Sequence, residues 1–315
     1  MSGAPRSSSV APSAPDWLRD RVVAVVGGDA REQEIARLAA AGGATVRAYG
    51  FPWPDGGIDG VGLARSAGEA MDGADYALFP IPGIAVDGRL YAPAVDEVIV
   101  PGADLLSRLR RGAAVLLGRA DERLRAAALA TGHPLLEYED DTELMLQRGP
   151  AVVEGVLAVA VQHTPVTIHG SEVGVVGFGN IGGLLSRSLV ALHANVTVFA
   201  RSPVQRAAAD AAGCAPRPLE DLAAVAPSLA MLFSTAPAPV VSRPVLEVMA
   251  RRSLVVDVAA PPGGIDLAAA RALGLEAVWA RGMGASAPVT VGRSQWAGIA
   301  RRIADVERNG GEREG

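Results

Sequence analysis

Short apolar runs alternate along this chain with segments in which apolar residues recur every three or four positions. Runs of the first kind are typical of buried parallel strands, and segments of the second kind are typical of helices that cover a sheet. The predicted strands are Arg21–Val26, Thr45–Tyr49, Tyr76–Phe79, Ala113–Leu117, Pro134–Tyr138, Val173–Val176, Val196–Phe199, Leu229–Phe233, Leu254–Val258 and Glu276–Trp279. The predicted helices are Glu34–Ala41, Asp104–Arg111, Glu122–Ala130, Pro150–His163, Ala207–Ala212, Pro244–Met249, Leu267–Leu273 and Gly292–Val306. This alternation predicts an α/β fold.

We expect two lobes, because a chain of 315 residues that is half apolar is long enough to form two hydrophobic cores. We expect a flavodoxin-like domain over residues 19–148 and a Rossmann dinucleotide-binding domain over residues 149–291, joined by the long helix Pro150–His163. The closing helix, residues 292–306, is expected to pack back on the first domain. Residues 1–18 are rich in Ser, Ala and Pro and predict a disordered tail, not a signal peptide.

One glycine-rich stretch carries the strongest chemical signal. The apolar run Val173–Val176 leads directly into Gly177–Gly182, which reads Gly-Phe-Gly-Asn-Ile-Gly, and apolar residues then continue at helical spacing. In such a strand–turn–helix unit the first glycine permits the turn, the second admits a pyrophosphate, and the third lets the helix pack on the strand. Backbone N–H groups at the helix start then face the phosphates. The predicted dinucleotide site contains Gly177, Gly179, Asn180, Ile181 and Gly182.

The residues after the next strand indicate which dinucleotide binds. A carboxylate at the end of Val196–Phe199 would bind the ribose hydroxyls of NAD, but the chain continues there with Ala200, Arg201 and Ser202. Because an arginine and a hydroxyl suit a 2′-phosphate, we predict NADP and regard NAD as the less favoured cofactor. The alternative for Arg201 is a solvated side chain that stacks on adenine. Two later strand ends supply further predicted cofactor-binding residues, which are Ser234, Thr235 and Asp257.

Composition and charge exclude several other classes of protein. The formal charge of −5 and the pI near 5.5 oppose nucleic-acid binding, which needs clustered positive charge. All 29 residues counted as lysine or arginine are arginine, so Schiff-base lysine chemistry is excluded. The single Cys214 excludes an internal disulfide, and we predict no metal site, interpreting the acidic run Glu139–Asp141 as a solvated helix start. No apolar run reaches about 18 residues, so we expect no membrane segment and a cytoplasmic location.

Several stretches together resemble the dipicolinate synthase A-subunit family, from Arg21 to about Ala304. They are Gly27–Arg31 (GGDAR), Val153–Gly155 (VEG), Gln162–Thr164 with Thr167–Ser171 (QHT and TIHGS), Gly177–Gly182, Ala200–Ser202 and Pro262–Gly264. The GGDAR and QHT…IHGS stretches are specific in combination, because a generic Rossmann protein has no reason to carry both.

The resemblance implies an enzyme of spore formation. It would oxidise dihydro- or hydroxytetrahydro-dipicolinate, from the early lysine pathway, to dipicolinate, which is pyridine-2,6-dicarboxylate. The resemblance further implies a nicotinamide-dependent dehydrogenase whose partner is the flavoprotein-like B-subunit of dipicolinate synthase, in the mother-cell cytoplasm of a sporulating bacterium. A homo-oligomer is left open.

Two side chains are candidates for the chemistry on such a substrate. A planar dicarboxylate needs a cationic clamp, and bidentate arginine is the most rigid one, so Arg31 on the first glycine loop is the first choice. Aromatisation of the ring also needs a proton acceptor, and Glu154, at the cleft end of the predicted helix Pro150–His163, is the candidate. The structural alternatives are a surface position for Arg31 and an interaction of Glu154 with the helix dipole. His163 and His169 are interpreted as structural.

Two departures from the family pattern bear on the predicted activity. Val289 stands where the family has lysine, and Val152 stands where a polar residue is expected. One alternative is therefore a non-catalytic NADP-binding subunit of a dipicolinate synthase complex. Another is a D-2-hydroxyacid dehydrogenase-like oxidoreductase, although that family needs a histidine late in its catalytic domain and His193 is the last one here.

Overall fold

The computed structural model describes residues 18–311 apart from Pro82 and Val86, and the side chains of residues 309–311 are not described either. Of the predicted tail, residues 1–17 lie outside the described residues, whereas Leu18 is buried in the first core. Two compact units are formed, one by residues up to Met145 together with those from Ala287, and the other by Leu146–Ser286. Each contains a six-stranded parallel sheet with helices on both faces, which confirms the predicted two-lobed α/β fold.

Strands and helices alternate along the described chain. The strands are β1 (Val22–Val26), β2 (Thr45–Tyr49), β3 (Val61–Leu63), β4 (Tyr76–Leu78), β5 (Ala114–Leu117), β6 (Leu135–Glu137), β7 (Glu172–Val176), β8 (Asn195–Phe199), β9 (Ala215–Arg217), β10 (Met231–Ser234), β11 (Leu254–Asp257) and β12 (Glu276–Trp279). The helices are α1 (Ala30–Ala41), α2 (Ala67–Met71), α3 (Ala103–Leu106), α4 (Glu122–Thr131), α5 (Thr142–His163), α6 (Asn180–Ala191), α7 (Pro203–Ala211), α8 (Leu222–Val225), α9 (Arg243–Glu247), α10 (Leu267–Ala272) and α11 (Pro288–Gly311). The short elements β3, β9, α2 and α8 were not predicted from the sequence.

The sheet of the first unit has the strand order β3-β2-β1-β4-β5-β6, and every pairing in it is parallel. Without the short edge strand β3, the order β2-β1-β4-β5-β6 is the flavodoxin-like order expected from the sequence. Strand β1 lies between β2 and β4, so the glycine loop after Val26 leaves from the middle of the carboxyl edge.

Alternate residues of this sheet face two hydrophobic layers. Val25 of β1 packs in the layer that contains α1 and α11, whereas Val26 packs in the layer that contains α2, α3 and α4. Helices α1 and α11 approach closely because Gly292 has no side chain, since a Cβ there would lie 2.7 Å from the Arg31 carbonyl oxygen. The closing helix is thus part of the first unit.

The sheet of the second unit has the order β12-β11-β10-β7-β8-β9 and is also parallel throughout. This is the Rossmann order, in which the first strand of the unit, β7, lies beside β10 at the topological switch point. Helices α5, α6 and α7 cover one face through residues such as Val156, Leu185 and Ala209, and α8, α9 and α10 cover the other. The predicted Rossmann domain is therefore confirmed.

Helix α5 begins at Thr142, eight residues before its predicted start at Pro150, so that prediction is wrong. The Asp141 carboxylate accepts hydrogen bonds from the N–H groups of the second and third helical residues, at 3.0 and 3.3 Å, and so caps an earlier start. Pro150 lies inside the helix, where it lacks one N–H donor. Glu154 therefore lies in the fourth turn of α5 and not, as predicted, at its beginning.

Helix α5 is also, among the described residues, the one helix long and apolar enough to cross a membrane by length and composition alone. Of its 18-residue apolar window, 39 % is buried inside the structure. The core helix of a soluble protein passes the same test, and Val153, Val156 and Ala160 belong to the core of the second unit. The helix is thus weak evidence for a membrane segment.

Candidate dinucleotide-binding site

Five strands of the second unit end at one level. The strand register aligns Val176 with Phe199 on one side and with Ser234 on the other, and then Ser234 with Asp257 and Asp257 with Trp279. The loops that follow β7, β8, β10, β11 and β12 therefore leave from the same edge. Open α/β sheets bind ligands at this carboxyl edge, at the switch point, which lies here between β7 and β10. All the predicted cofactor-binding residues lie on these strand ends, on the loops that follow them, or in the first turn of α6.

Two of the three turn glycines are required by the protein itself. Gly177 has a φ of +92°, and a Cβ there would lie 2.9 Å from the Thr235 hydroxyl oxygen. A Cβ at Gly182 would overlap the Gly177 carbonyl oxygen and would lie 2.7 Å from the same hydroxyl. Thr235 is fixed because its hydroxyl donates to the Val176 carbonyl oxygen at 3.1 Å. The end of β10 thus closes on the turn and leaves no room for side chains there.

Gly179 differs from both of these glycines. Its φ is −85°, which any residue can adopt, and a Cβ there would meet no atom of the described chain within 4 Å. The fold therefore does not require glycine at this position, whereas a ligand that approaches the backbone does. The open position fits a pyrophosphate group.

Helix α6 presents a free N-terminus at this position. Gly179 is its N-cap, and within the described chain no side chain caps it and no acidic residue lies in its first turn. Asn180 is exposed and Ile181 is partly buried on the same turn. The N–H groups of the first turn and the helix dipole favour an anion here. The residues present therefore fit the pyrophosphate of a nicotinamide dinucleotide.

Asp257 and Ser234 lie beneath this edge and are fully buried. The Asp257 carboxylate accepts hydrogen bonds from three backbone N–H groups of residues 259–265, at distances of 2.7 to 3.0 Å. Asp257 thus holds the loop after β11, and its carboxylate is not open to solvent. The Ser234 hydroxyl has no hydrogen-bond partner among the described residues, and Thr235 is partly exposed beside the turn.

The loop after β8 carries an arginine with a free guanidinium. The Arg201 side chain is exposed and forms no ion pair with any residue that the structure describes. The Ser202 hydroxyl caps α7 by accepting a hydrogen bond from the Gln205 N–H at 3.4 Å. Arg206 donates to the carbonyl oxygens of Ala200 and Arg201, at 2.8 Å each, and so holds the loop in place. The Arg201 guanidinium is left available to a ligand.

A second such arginine follows β12 and was not predicted as a site residue. The guanidinium carbon of Arg281 lies 5.1 Å from the ring centroid of Trp279. The Trp279 indole N–H donates to the Ala259 carbonyl oxygen at 3.0 Å, which ties the ring to the loop after β11. Arg281 lies two residues past its strand, as Arg201 does, and that spacing was present in the sequence.

The glycine turn of the first unit is closed by its own side chains. Asp29 accepts from the Arg31 N–H, and Glu32 accepts from the Asp29 N–H at 2.7 Å, so the two carboxyl groups form a capping box on α1. The buried Arg31 guanidinium donates to both Asp29 oxygens, at 2.8 and 2.9 Å, and to the Ile81 carbonyl oxygen at 3.2 Å. Burial alone would raise the pKa of Asp29, but the hydrogen bonds from Arg31 outweigh it and hold that pKa below its usual value. Helix α1 therefore offers no open N-terminus.

Glu32 is a buried titratable group at this turn. Its side chain packs against Gly28 and is 2 % exposed, and burial raises its pKa to about 7 although Arg31 attracts the charged form. Its Oε1 has no hydrogen-bond partner among the described residues. Glu32 was not selected from the sequence, although its spacing from Asp29 matches a capping box.

The two predicted catalytic residues belong to different units, Arg31 to the first and Glu154 to the second. The Glu154 side chain is exposed and makes no hydrogen bond or ion pair within the described chain. His163 lies 2.7 Å from a carboxylate oxygen of Glu276, the first residue of β12, and His169 precedes β7. Both histidines thus lie at the edge opposite the glycine turn, which supports their structural interpretation. Over the described residues, no group of three or more His, Cys, Asp or Glu is placed to hold a metal ion.

A Rossmann sheet with an open glycine turn, together with a second α/β unit, defines a two-domain protein with a dehydrogenase-type dinucleotide-binding domain. Residues 148–261 match the NAD-binding domain of D-isomer-specific 2-hydroxyacid dehydrogenases. The fold is similar to the apo-structure of D-lactate dehydrogenase from Escherichia coli, with a TM-score of 0.58 and 13 % identity, over 91 % of this chain and 97 % of that one.

Residues 22–139 match the N-terminal domain of the dipicolinate synthase A-subunit. The chain is 28 % identical over 291 residues to the dipicolinate synthase A-subunit of Bacillus subtilis (strain 168). The aligned residues cover 92 % of this chain and 98 % of the relative. The crystal structure of the dipicolinate synthase A-subunit from Bacillus halodurans is 29 % identical, with a TM-score of 0.82, over 91 % of this chain and 99 % of that one. The chain belongs to the dipicolinate synthase A-subunit family, which confirms the resemblance in the sequence.

Proposed function

We propose that this chain is an NADP-dependent dehydrogenase that oxidises dihydro- or hydroxytetrahydro-dipicolinate to dipicolinate in spore formation. The observation that carries the proposal is the turn position Gly179, which the protein leaves open and a pyrophosphate would fill. The substrate class is supported by the relatives, whose names identify them with dipicolinate synthase. When bound, the nicotinamide ring would supply the acceptor for the hydride that the dihydro substrate loses together with one proton, and the hydroxytetrahydro substrate must in addition lose one molecule of water.

Arg201 supports NADP as the cofactor. Its exposed guanidinium follows β8, where NAD-binding proteins place a carboxylate for the ribose hydroxyls. A guanidinium binds a phosphate through two parallel N–H donors, and the 2′-phosphate of NADP is such a group. Ser202 adds a second donor, because its hydroxyl accepts one hydrogen bond at the helix cap and keeps its own hydrogen.

We propose Glu154, which belongs to the second unit, as the proton acceptor, and Arg31, which belongs to the first, as a group that binds a substrate carboxylate. Glu154 is an exposed carboxylate on α5 and accepts the proton released when the substrate ring becomes aromatic. Arg31 binds a substrate carboxylate through Nη1, the nitrogen that its bonds to Asp29 and Ile81 leave over among the described residues. The same bonds hold the guanidinium rigidly, which supports its use as a clamp.

The name of the relative calls it the A-subunit of dipicolinate synthase, which indicates an enzyme of more than one kind of subunit. We propose that the partner of this chain is the flavoprotein-like B-subunit, in the mother-cell cytoplasm of a sporulating bacterium. A homo-oligomer is the second assembly to test, by measuring the mass of the purified protein in solution.

The test mixes the purified chain with freshly enzyme-generated hydroxytetrahydro-dipicolinate and NADP, with NAD as the comparison. Absorbance is followed at the bands of dipicolinate and of reduced nicotinamide, and both should grow together and faster with NADP. Activity that appears only after the B-subunit is added would show that the complex of the two subunits is the active enzyme. If neither absorbance band grows, with or without the B-subunit, the proposed dehydrogenase activity is refuted and a non-catalytic NADP-binding subunit is favoured.

A further inference from the structure

We propose that Arg281 binds one carboxylate of the substrate, at the nicotinamide end of the dinucleotide site in the second unit. The inference rests on the proposed function and adds a substrate-binding residue to it. It makes Arg281 a specificity-determining residue, which distinguishes a pyridine dicarboxylate from a monocarboxylate.

The place of Arg281 follows from the strand register. Strands β8 and β12 end at the same level on opposite sides of the glycine turn, and Arg201 and Arg281 each lie two residues past them. Four inter-strand steps of about 4.8 Å separate these strands, so their ends lie roughly 19 Å apart. A dinucleotide with its pyrophosphate on the turn has its two nucleosides on opposite sides of it. With the adenosine ribose at Arg201, the nicotinamide end extends toward β11 and β12, where Arg281 lies.

Arg281 is held in a pose that suits a carboxylate. The guanidinium carbon lies over the Trp279 ring, and that ring is fixed by its hydrogen bond to the Ala259 carbonyl oxygen. The loop after β11 also borders the ring at Gly263, where a Cβ would lie 3.4 Å from Trp279, which is an ordinary van der Waals contact. The cation–π contact with the ring uses none of the guanidinium N–H groups, and no described residue accepts a hydrogen bond from them, so they remain for the two oxygens of a carboxylate.

The charge of Arg281 is also free to be used. The side chain is exposed and forms no ion pair with any described residue. Arg31, by contrast, already directs Nε and Nη2 at the Asp29 carboxylate. A second carboxylate can therefore reach one nitrogen of Arg31, whereas Arg281 offers a complete fork and two parallel hydrogen bonds. Of the two, Arg281 is the stronger carboxylate-binding group.

Isothermal titration calorimetry tests the assignment without turnover. Pyridine-2,6-dicarboxylate and pyridine-2-carboxylate are titrated into wild-type, Arg281→Gln and Arg252→Gln protein, with NADP present and divalent metals absent. Arg252→Gln is the matched control, because it removes the same charge from the opposite edge of the sheet, just before β11. We expect Arg281→Gln to lose about 10- to 100-fold in dicarboxylate affinity, as the loss of a charged hydrogen-bonded pair predicts.

The ratio of the two affinities is the decisive readout, because a general structural effect would weaken both ligands alike. A dicarboxylate preference in wild type and Arg252→Gln that collapses toward one in Arg281→Gln supports the assignment. An unchanged preference in Arg281→Gln overturns it and leaves the proposed function intact. If wild-type protein does not bind the dicarboxylate at all, the proposed substrate is refuted together with the assignment.

Discussion

Alanine substitutions at Gly179 and Gly182 separate a glycine kept for a ligand from a glycine kept for the fold. At Gly179 the added methyl group meets no described atom within 4 Å, and the φ of −85° is unstrained. At Gly182 the same group overlaps the Gly177 carbonyl oxygen and lies 2.7 Å from the Thr235 hydroxyl oxygen. The first substitution should therefore act on cofactor binding and the second on folding.

The structure sets the expected magnitudes. Gly179→Ala should lower the free energy of unfolding by only about 0.5 kcal/mol, because alanine is a slightly poorer N-cap than glycine. A bound pyrophosphate would meet its methyl group, and overpacking of this kind costs about 1–3 kcal/mol. The dissociation constant for NADPH should then rise about 5- to 150-fold. In Gly182→Ala a similar penalty, about 1–3 kcal/mol, falls on the free energy of unfolding.

Two measurements on the same preparations distinguish these effects, namely thermal unfolding without cofactor and titration of NADPH fluorescence. Gly179→Ala should unfold close to the wild-type temperature and bind NADPH weakly, and Gly182→Ala should unfold at a lower temperature. Tight NADPH binding by Gly179→Ala would show that no pyrophosphate lies against this turn. Equal loss of stability in both variants would show that Gly179 is needed by the fold.

Single substitutions test the remaining assignments. Arg201→Asp should weaken NADPH binding and leave NADH binding similar or tighter, and an equal loss of both would remove the 2′-phosphate assignment. Arg31→Ala should raise the KM for the dicarboxylate substrate far more than the KM for the cofactor, whereas an unchanged value would exclude Arg31 from the site. Glu154→Gln should lower kcat about 100-fold or more, and a wild-type kcat would place the proton acceptor elsewhere. Burial raises the pKa of Glu32 from 4.5 to about 7, so the folded chain keeps a proton that the unfolded chain releases, and wild-type stability should fall by about 3 kcal/mol between pH 4.5 and 7. Urea unfolding of Glu32→Gln should lack this decrease, and the same decrease in both proteins would assign it to other groups.

The cofactor turn could be predicted from the sequence because its signal is local. One strand, three glycines and the start of a helix lie within a few residues, and backbone sterics set their geometry. Part of the reason for these glycines is not local, since Thr235, the residue after β10, lies against Gly177 and Gly182, whereas no described atom lies near Gly179. Arg281 was missed for the same reason, because its position opposite Arg201 depends on the strand order.

The start of α5 shows where local signals compete. Pro150 is a good first helical residue and Asp141 is a good cap, and the sequence does not say which of them prevails. The helix has the earlier start, at Thr142. Leu144, which lies in the first turn of this longer helix, is buried in the core of the first unit. Strands β3 and β9 were missed because each is a short edge strand without a fully buried residue and so leaves no apolar run in the sequence. Pro216 in β9 is tolerated because β9 lies at an edge.

The two glycine turns differ at two helix positions, and this difference explains why the dinucleotide is assigned to the second unit. Both turns follow a strand inside a parallel sheet and lead into a helix. In the first unit, Asp29 at the N-cap and Glu32 at N3 satisfy the helix start, so a pyrophosphate there would meet two carboxyl groups. In the second unit, Gly179 and Gly182 hold the same two positions and leave the N–H groups and the helix dipole to an anion. The N-cap and N3 residues, and not the kind of sheet, therefore determine which turn can hold the phosphates.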